Sequence, residues 1–192
     1  MARRPGPPEG AAVPPTQAAG VVQFWRDAGS ARWFAKNTAF DRQFREDFHD
    51  LHFAAAARRC DAWAAAAESA LALLLLLDQY PRNSFRGTAH MYATDPLARM
   101  FARQALDAGL DQQVDKELRL FFYLPLSHAE HLPDQERALA LNRALGEPFR
   151  SHAQGHLDIV ARFGRFPHRN ALLGRETTAA EQAFLAEGGF SG

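Results

Sequence analysis

The sequence predicts an all-α protein with about eight or nine helices. In most segments apolar residues recur at spacings of three and four, the pattern of one buried helix face. No segment alternates apolar and polar residues over a sustained length, and β-branched residues are few and scattered, which argues against strands. Short turn signals separate the helical segments, so we expect helices stacked as antiparallel hairpins.

The N-terminal segment differs in composition from the rest of the chain. Residues 1–17 contain five prolines and almost nothing to bury, which predicts a disordered tail. The whole chain has 192 residues, of which 47% are apolar. Residues 18–192 are therefore expected to form a single all-helical domain with its own core.

Apolar stripes predict the first helices. Val21–Trp25 begins a short helix that ends near Gly29, and Trp33 and Phe34 are expected in the loop that follows. The next helix begins near Asn37 and has its stripe at Phe40, Phe44, Phe48 and Leu51.

The most apolar segment is expected at the centre of the fold. Asp61 can cap a helix that contains Trp63 and the run Leu71–Leu77, and a helix that is apolar on all sides is buried. This helix is predicted to end before Pro81, because the residue preceding a proline is disfavoured in helical conformation.

Proline, glycine and capping residues bound the remaining helices. Asp95 and Pro96 have the N-cap and N1 pattern of a helix start, and the spacing of Thr178 and Glu181 is typical of a capping box. Pro125 is expected to halt a short apolar helix. Two further helices are predicted over residues 133–146 and 148–164.

Charge and composition exclude several functional classes. Lys and Arg together number 22, as do Asp and Glu, so the zero net charge argues against nucleic acid as a partner of the whole molecule. The longest apolar run is far shorter than the ~20 residues that span a bilayer, so no membrane segment is expected. The lone Cys60 and an N-terminus without a signal-peptide pattern favour a cytoplasmic location. The sequence predicts no cofactor and gives no oligomeric state.

Two similar polar loops each follow a buried helix. The first is Tyr80-Pro-Arg-Asn83 and the second is Phe166-Pro-His-Arg-Asn170, and each is followed by an arginine beside a glycine. We hypothesise that they face one pocket, where arginines bind a small anion through a carboxylate or phosphate group. The candidate ligand-binding residues are Asp78, Arg82, Asn83, Arg86, Arg165, His168, Arg169, Asn170 and Arg175.

The same residues also fit a structural role. Arginine and asparagine can bond the last carbonyls of a helix, and Asp78, Glu130 or Asp95 can neutralise the arginines in ion pairs. The sequence leaves both alternatives open.

Several histidines are candidates for chemistry. His152 and His156 have the spacing of metal ligands, but the glutamate of a metalloprotease motif is missing between them. Because His156 shares a face with apolar residues, a core histidine is favoured and no metal is predicted. His128, Glu130 and His156 are weak candidates for acid–base roles, and no reaction follows from them, so whether the protein is an enzyme stays open.

The motifs resemble the bacterial DUF924 family of unknown function. The resemblance rests on residues 77–87, on 125–130 with Gln135, on His156, and on 163–170 with 173–175, and it extends from about Val22 to Phe190. It implies an all-α fold similar to tetratricopeptide-repeat (TPR) proteins. This chain departs from the family pattern with Tyr80 in place of Phe, Ala129 in place of Ser and His131 in place of Asp.

The TPR-like fold gives an alternative function. Stacked hairpins can form a concave groove that binds a protein partner without catalysis. RNA binding through the arginines is a third, weaker hypothesis, which the balanced charge disfavours.

Overall fold

A computed structural model describes residues 11–190, and within that range it contains helices and turns but no strand. The predicted all-α class is confirmed. Within the same range no helix is long and apolar enough to cross a membrane. Contacts divide the chain into two compact units, one of residues 11–86 and 90–125, the other of 87–89 and 126–190. The single domain expected from residue 18 stays a prediction.

The helices follow one another along the chain, joined by loops and 3-10 turns. The first unit contains α1 Ala18–Ala28, α2 Ser30–Trp33, α3 Thr38–Ala56, α4 Ala67–Leu74, α5 Tyr80–Ser84 and α6 Asp95–Asp107. Helix α7 Leu120–Ser127 begins in the first unit and ends in the second, which contains α8 Leu132–Leu145, α9 Phe149–Phe163 and α10 Ala179–Ala186. Helices α8 and α9 pack along each other as a hairpin. The resemblance to TPR proteins stays a prediction.

The expected N-terminal tail is partly ordered. Residues 1–10 lie outside the described residues. Val13 is buried, its N–H donates to the Arg59 carbonyl at 2.8 Å, and its carbonyl accepts a hydrogen bond from Trp63 Nε1 at 2.9 Å. The prediction of disorder is therefore wrong from Val13 onward, because backbone pairing and one buried apolar side chain fix the segment.

The core of the first unit is built around α4, as its apolar run predicted. All seven residues of Leu71–Leu77 are buried, and α1 and α6 both pack on α4. Buried aromatic side chains complete this core, and Trp25 meets Phe121 edge-on with ring centroids 5.3 Å apart. These packed rings and leucines give the following segment a rigid base.

The central helix does not end before Pro81, which corrects the sequence prediction. It widens into a π-helical turn at Leu75–Gln79 and continues directly into α5, which contains Pro81. Proline has no N–H, so one carbonyl of the preceding turn loses its helical donor. Side chains bond three carbonyls of this turn: His52 bonds the Leu76 carbonyl at 2.9 Å, Thr94 the Leu77 carbonyl at 2.5 Å, and Arg82 the Asp78 carbonyl at 2.8 Å.

Several other turn predictions need correction. Asp61 does not cap α4; it opens a 3-10 turn and pairs with Arg58, and α4 begins without a side-chain cap. Thr94 rather than Asp95 precedes α6, because the Asp95 side chain bonds an arginine instead of the helix end. Helix α7 runs through Pro125, where burial of neighbouring apolar side chains outweighs one lost backbone bond.

Other predicted bounds are confirmed. Asn37 caps α3 by accepting hydrogen bonds from two backbone N–H groups. Thr178 and Glu181 form the reciprocal bonds of a capping box at the start of α10. Helix α9 ends at Gly164, whose φ of 71° is the left-handed conformation that glycine adopts without strain. Trp33, expected in a loop, lies in the short helix α2 and donates to the Trp25 carbonyl.

The bond from Thr94 to the π-helical turn can be tested by substitution. Thr94→Val keeps the shape of the side chain but removes the hydroxyl, so the buried Leu77 carbonyl loses its donor. We expect the free energy of unfolding to fall by about 1–3 kcal/mol, measured by urea denaturation. The exposed Thr38→Val is the matched control, with an expected change within about 0.5 kcal/mol. Equal losses in the two variants would contradict the capping role of Thr94.

Candidate functional site

The first polar segment, predicted as a loop, lies in α5 and is organised around the half-buried Arg82. Arg82 makes two parallel hydrogen bonds to the Asp95 carboxylate, at 2.8 and 3.0 Å, and its Nη1 lies 3.2 Å from Asp78 Oδ1. Gln79 donates to the other Asp78 oxygen, and the guanidinium lies over the Tyr92 ring. Burial alone would lower the pKa of Arg82, but the two carboxylates raise it above its usual value, so this arginine stays charged.

Asn83 and Arg86, which follow Arg82 in sequence, share another carboxylate, that of Asp41. Asn83 donates to Asp41 Oδ1 at 2.7 Å, and Arg86 donates to Asp41 Oδ2 at 3.1 Å. Asp41 lies in the first turn of α3, so these bonds fasten α5 to α3. The candidate residues of the first loop are thus bonded to aspartates, as the structural alternative predicted for Arg82.

In the second unit, Glu181 organises the second loop. Its carboxylate accepts hydrogen bonds from Arg165 Nε and Nη2 at 2.6 and 2.8 Å, from Asn170 Nδ2 at 3.2 Å, and from the Thr178 N–H at 2.8 Å. The bond from Arg165 is the main cause that lowers the pKa of Glu181 to about 2. One carboxylate therefore caps α10 and fixes two candidate residues.

Glu130 forms a second clamp in the same unit. It accepts two hydrogen bonds from Arg175, at 2.6 and 2.9 Å, and one from the backbone N–H of Phe166 at 2.8 Å. Burial raises the pKa of Glu130, but the bonds from Arg175 and from Phe166 outweigh that effect and lower it. A carboxylate held ionised by three donors is suited to structure more than to proton transfer.

The remaining candidates of the second unit meet in one cluster of rings. We call His128, His156, Phe166, His168 and Phe190 the histidine cluster. The His156 centroid lies 5.4 Å from that of Phe166 and 6.2 Å from that of His128, and the His168 centroid lies 5.7 Å from that of Phe166. Phe190 contacts both His156 and His168, at 4.9 and 5.1 Å.

Arg169 supplies the positive charge beside this cluster. Its guanidinium carbon lies 4.5 Å from the centroid of the Phe166 ring, and the residue is only 6% exposed. A buried guanidinium over an aromatic face is a cation–π contact, which holds the charge next to the histidines.

The two inner histidines are neutral at physiological pH. Burial, the nearby His128 and the charge of Arg169 lower the pKa of His156 to about 3, and burial and Arg169 lower the pKa of His168 to about 4. Each Nδ1 atom is shielded from solvent and has no hydrogen-bond partner within residues 11–190. A neutral imidazole carries one donor and one acceptor nitrogen, so each ring keeps a bonding group for another molecule.

A buried glutamine positions the loop that carries His128. Gln135, on α8, donates to the carbonyls of Ser127 and Ala129 at 2.8 and 2.6 Å. These bonds hold the backbone on both sides of His128. Gln135 is fully buried, so the loop is fixed from the inside of the unit.

The structure therefore divides the predicted site residues into two groups. Asp78, Arg82, Asn83 and Arg86 lie in the first unit, and the other candidates lie in the second. That the two loops face one pocket stays a prediction. Among the described residues, no three side chains of His, Cys, Asp or Glu are placed to hold a metal ion.

Sequence reasoning missed Phe190, which contacts both inner histidines. Its only signal is the Gly188-Gly189 pair before it, a turn pattern at the end of the last helix. Glu181 was predicted as a helix cap but not as the partner of Arg165, because that bond joins positions far apart in sequence.

Comparisons with known proteins give a family and no function. The model of DUF924, described as a bacterial protein of unknown function, matches residues 21–189. The solved structure titled as protein of unknown function ATU0120 from Agrobacterium tumefaciens is similar to this chain, with 59% identity and a TM-score of 0.87. That match covers 90% of this chain and 98% of the other. A search of curated proteins finds no match.

A structural role of Arg82 can be distinguished from a ligand-binding role by the effect of its substitution on the free energy of unfolding. Arg82→Met keeps most of the side-chain volume but removes the guanidinium that bonds Asp78 and Asp95. We expect the free energy of unfolding to fall by about 3–5 kcal/mol, measured by denaturant titration. The matched control is Arg143→Met on the exposed surface of α8, which should change stability by less than about 0.5 kcal/mol. A loss below 1 kcal/mol for Arg82→Met would contradict a structural role.

The neutral histidines predict how stability depends on pH. In the unfolded chain a histidine takes up its proton near pH 6.5, whereas folded His156 and His168 do so only near pH 3 and 4. The unfolded state therefore binds more protons between these values, so stability is fully present above about pH 6.5 and falls as the pH drops toward 4. Each proton contributes a slope of up to about 1.4 kcal/mol per pH unit.

Unfolding free energies measured at several pH values would test this dependence. His156→Gln should have a shallower slope than the wild type, since one titrating group is gone. His152→Gln, on the exposed side of the same helix, is the control and should keep the wild-type slope. An unchanged slope in His156→Gln would contradict a buried neutral histidine at this position.

Proposed function

The chain belongs to DUF924, a family of bacterial proteins of unknown function, and we propose that its histidine cluster binds a small anion through a carboxylate or phosphate group. His156 and His168 donate to the anion, and Arg169 supplies the opposite charge. His128 lies beside His156 and completes the polar side of the site.

One observation carries this proposal: the two inner histidines each have a buried Nδ1 atom without a hydrogen-bond partner among the described residues. A buried polar group left in this way costs about 1–3 kcal/mol, so a binding partner that supplies the bond is favoured. Two such groups beside one ring, Phe166, are consistent with a shared ligand.

The local charge favours an anion. The charged groups that act on His168 are Arg169, Arg175 and Glu130, two cations against one carboxylate. Because His168 and His156 are neutral, they add hydrogen-bond donors without adding charge. The guanidinium of Arg169 beside the rings attracts a negatively charged ligand.

The other predicted binding residues have structural roles in this proposal. Arg165 and Arg175 are clamped by glutamates in the second unit. In the first unit, the first-loop candidates Arg82, Asn83 and Arg86 bond aspartates. Ion pairs of this kind hold loops in place.

The alternative of a protein-interaction module has less support. The large apolar side chains that are exposed in the described part of the chain lie on separate segments. They are Phe34, Phe53, Met100, Leu132, Leu173 and Phe190. Scattered apolar side chains are normal for a protein surface, whereas a partner groove brings them together.

Titration with simple anions would test the proposal. Inorganic phosphate and acetate are added at about pH 7 while the ring resonances of the histidines are followed by NMR. We expect saturable shifts of His156 and His168, and Arg169→Gln should weaken binding at least about tenfold, since a hydrogen bond to a charged group contributes about 1.5–3 kcal/mol.

Two controls make this titration decisive. Arg143→Gln, on the exposed surface of α8, should bind like the wild type. If Arg169→Gln does not fold, His156→Gln replaces it and should weaken binding similarly. Shifts that do not saturate, or affinities that are the same in the wild type as in Arg169→Gln or His156→Gln, would overturn the proposed function.

A further inference from the structure

Phe190 completes a closed ring of four aromatic side chains. The centroids follow the order Phe166, His156, Phe190, His168 and back to Phe166, with separations of 5.4, 4.9, 5.1 and 5.7 Å. Each inner histidine thus contacts two phenylalanines, mostly edge-on, which is a favourable arrangement of aromatic rings. Both histidines are therefore covered on one side by Phe166 and on another by Phe190.

The two phenylalanines differ in how firmly they are held. Phe166 is 1% exposed and belongs to the core of the second unit. Phe190 is 42% exposed and lies beyond the last helix. Removing Phe190 would uncover the histidines without opening that core.

Two glycines direct Phe190 onto the histidines. Gly188 has φ of +83°, a conformation that other residues rarely adopt, and the Gly189 N–H donates to the Phe184 carbonyl at 2.9 Å. A Cβ at position 189 would lie 2.5 Å from that carbonyl oxygen and 2.6 Å from the Phe184 ring. The sequence Gly-Gly-Phe thus fits a turn that returns the chain to the cluster.

We propose that the ligand of this site is an aromatic carboxylate whose ring takes the place of Phe190 between His156 and His168. This inference rests on the proposed function and names its ligand class. Without ligand, the Phe190 ring fills the space between His156 and His168, and the ligand displaces it.

The surroundings of Phe190 support this class of ligand. Edge-on contacts with two neutral imidazoles favour an aromatic body over an aliphatic one. Arg169, stacked on Phe166, supplies the charge for the carboxylate. Phe190 is already partly exposed, so its displacement returns less apolar surface to water than the displacement of a core residue would.

Benzoate, cyclohexanecarboxylate and acetate are the probes that test the inference. Their affinities are measured by calorimetry for the wild type and for Phe190→Ala. We expect Phe190→Ala to bind benzoate roughly tenfold more tightly than the wild type, since the ligand no longer competes with two ring contacts. Acetate should bind both proteins within about twofold, and cyclohexanecarboxylate should gain less than benzoate.

A second measurement is independent of any ligand. Loss of the Phe190 ring exposes the two histidines to water, so NMR titration of Phe190→Ala should give pKa values of His156 and His168 closer to 6.5 than in the wild type. Phe34→Ala, which removes an exposed phenylalanine of the first unit, is the control and should change neither these pKa values nor benzoate binding.

The outcomes separate this inference from the proposed function. If acetate and phosphate bind and Arg169→Gln weakens them, but Phe190→Ala leaves benzoate affinity unchanged, the aromatic ligand class is overturned and anion binding stands. If none of the anions binds the wild type or Phe190→Ala, the proposed function and the aromatic ligand class are both overturned. If Phe190→Ala does not fold, a chain that ends at Gly189 takes its place and the same affinities decide.

Discussion

The continuation of the buried central helix through Pro81 is the constraint around which the first unit is organised. Proline has no N–H, so one carbonyl of the preceding turn loses its backbone donor, and in a buried helix water cannot replace it. Three side chains bond carbonyls of that turn: His52 from α3, Thr94 from the start of α6 and Arg82 from α5. Two of these bonds tie α3 and the start of α6 to the central helix.

The same constraint explains why charged groups gather at this turn. Arg82 bonds a backbone carbonyl, and a buried guanidinium needs anions nearby, which Asp78 and Asp95 provide. Burial lowers the pKa of His52 to about 4, so its ring is neutral and carries one proton. That proton lies on Nδ1, which donates to the Leu76 carbonyl. Within the first unit, these polar side chains thus bond the backbone of the helix and one another.

The two similar loops have different surroundings in their own units. In the first unit the arginines meet aspartates on α3 and at the start of α6. In the second unit the glutamates bind Arg165 and Arg175, while Arg169 stacks on Phe166 beside neutral histidines. The repeated motif therefore has neither the same local structure nor the same partners in its two copies, because the first lies in α5 and the second in a 3-10 turn, and the partners come from residues distant in sequence.

The sequence predicted what local patterns determine. Apolar spacing gave the helices, and side-chain caps gave the starts of α3 and α10, because the bonds involved lie within one turn. The helices through Pro81 and Pro125 were predicted to stop, since the donors and the packing that stabilise them come from residues far along the chain. Phe190 was missed for the same reason: its contacts with His156 and His168 join the C-terminal segment to α9 and to the second loop.

Burial and charge together determine what the histidine cluster can bind. If His156 and His168 were protonated, Arg169 would repel them and the cluster would hold several positive charges in a poorly solvated place. Because burial keeps both rings neutral, the site offers hydrogen bonds around a small excess of positive charge. Under the proposed function, a second negative charge on the ligand would lose its hydration in this poorly solvated place, so a monoanion is expected to bind more favourably than a dianion. This selectivity arises from the same apolar rings that shield the histidines.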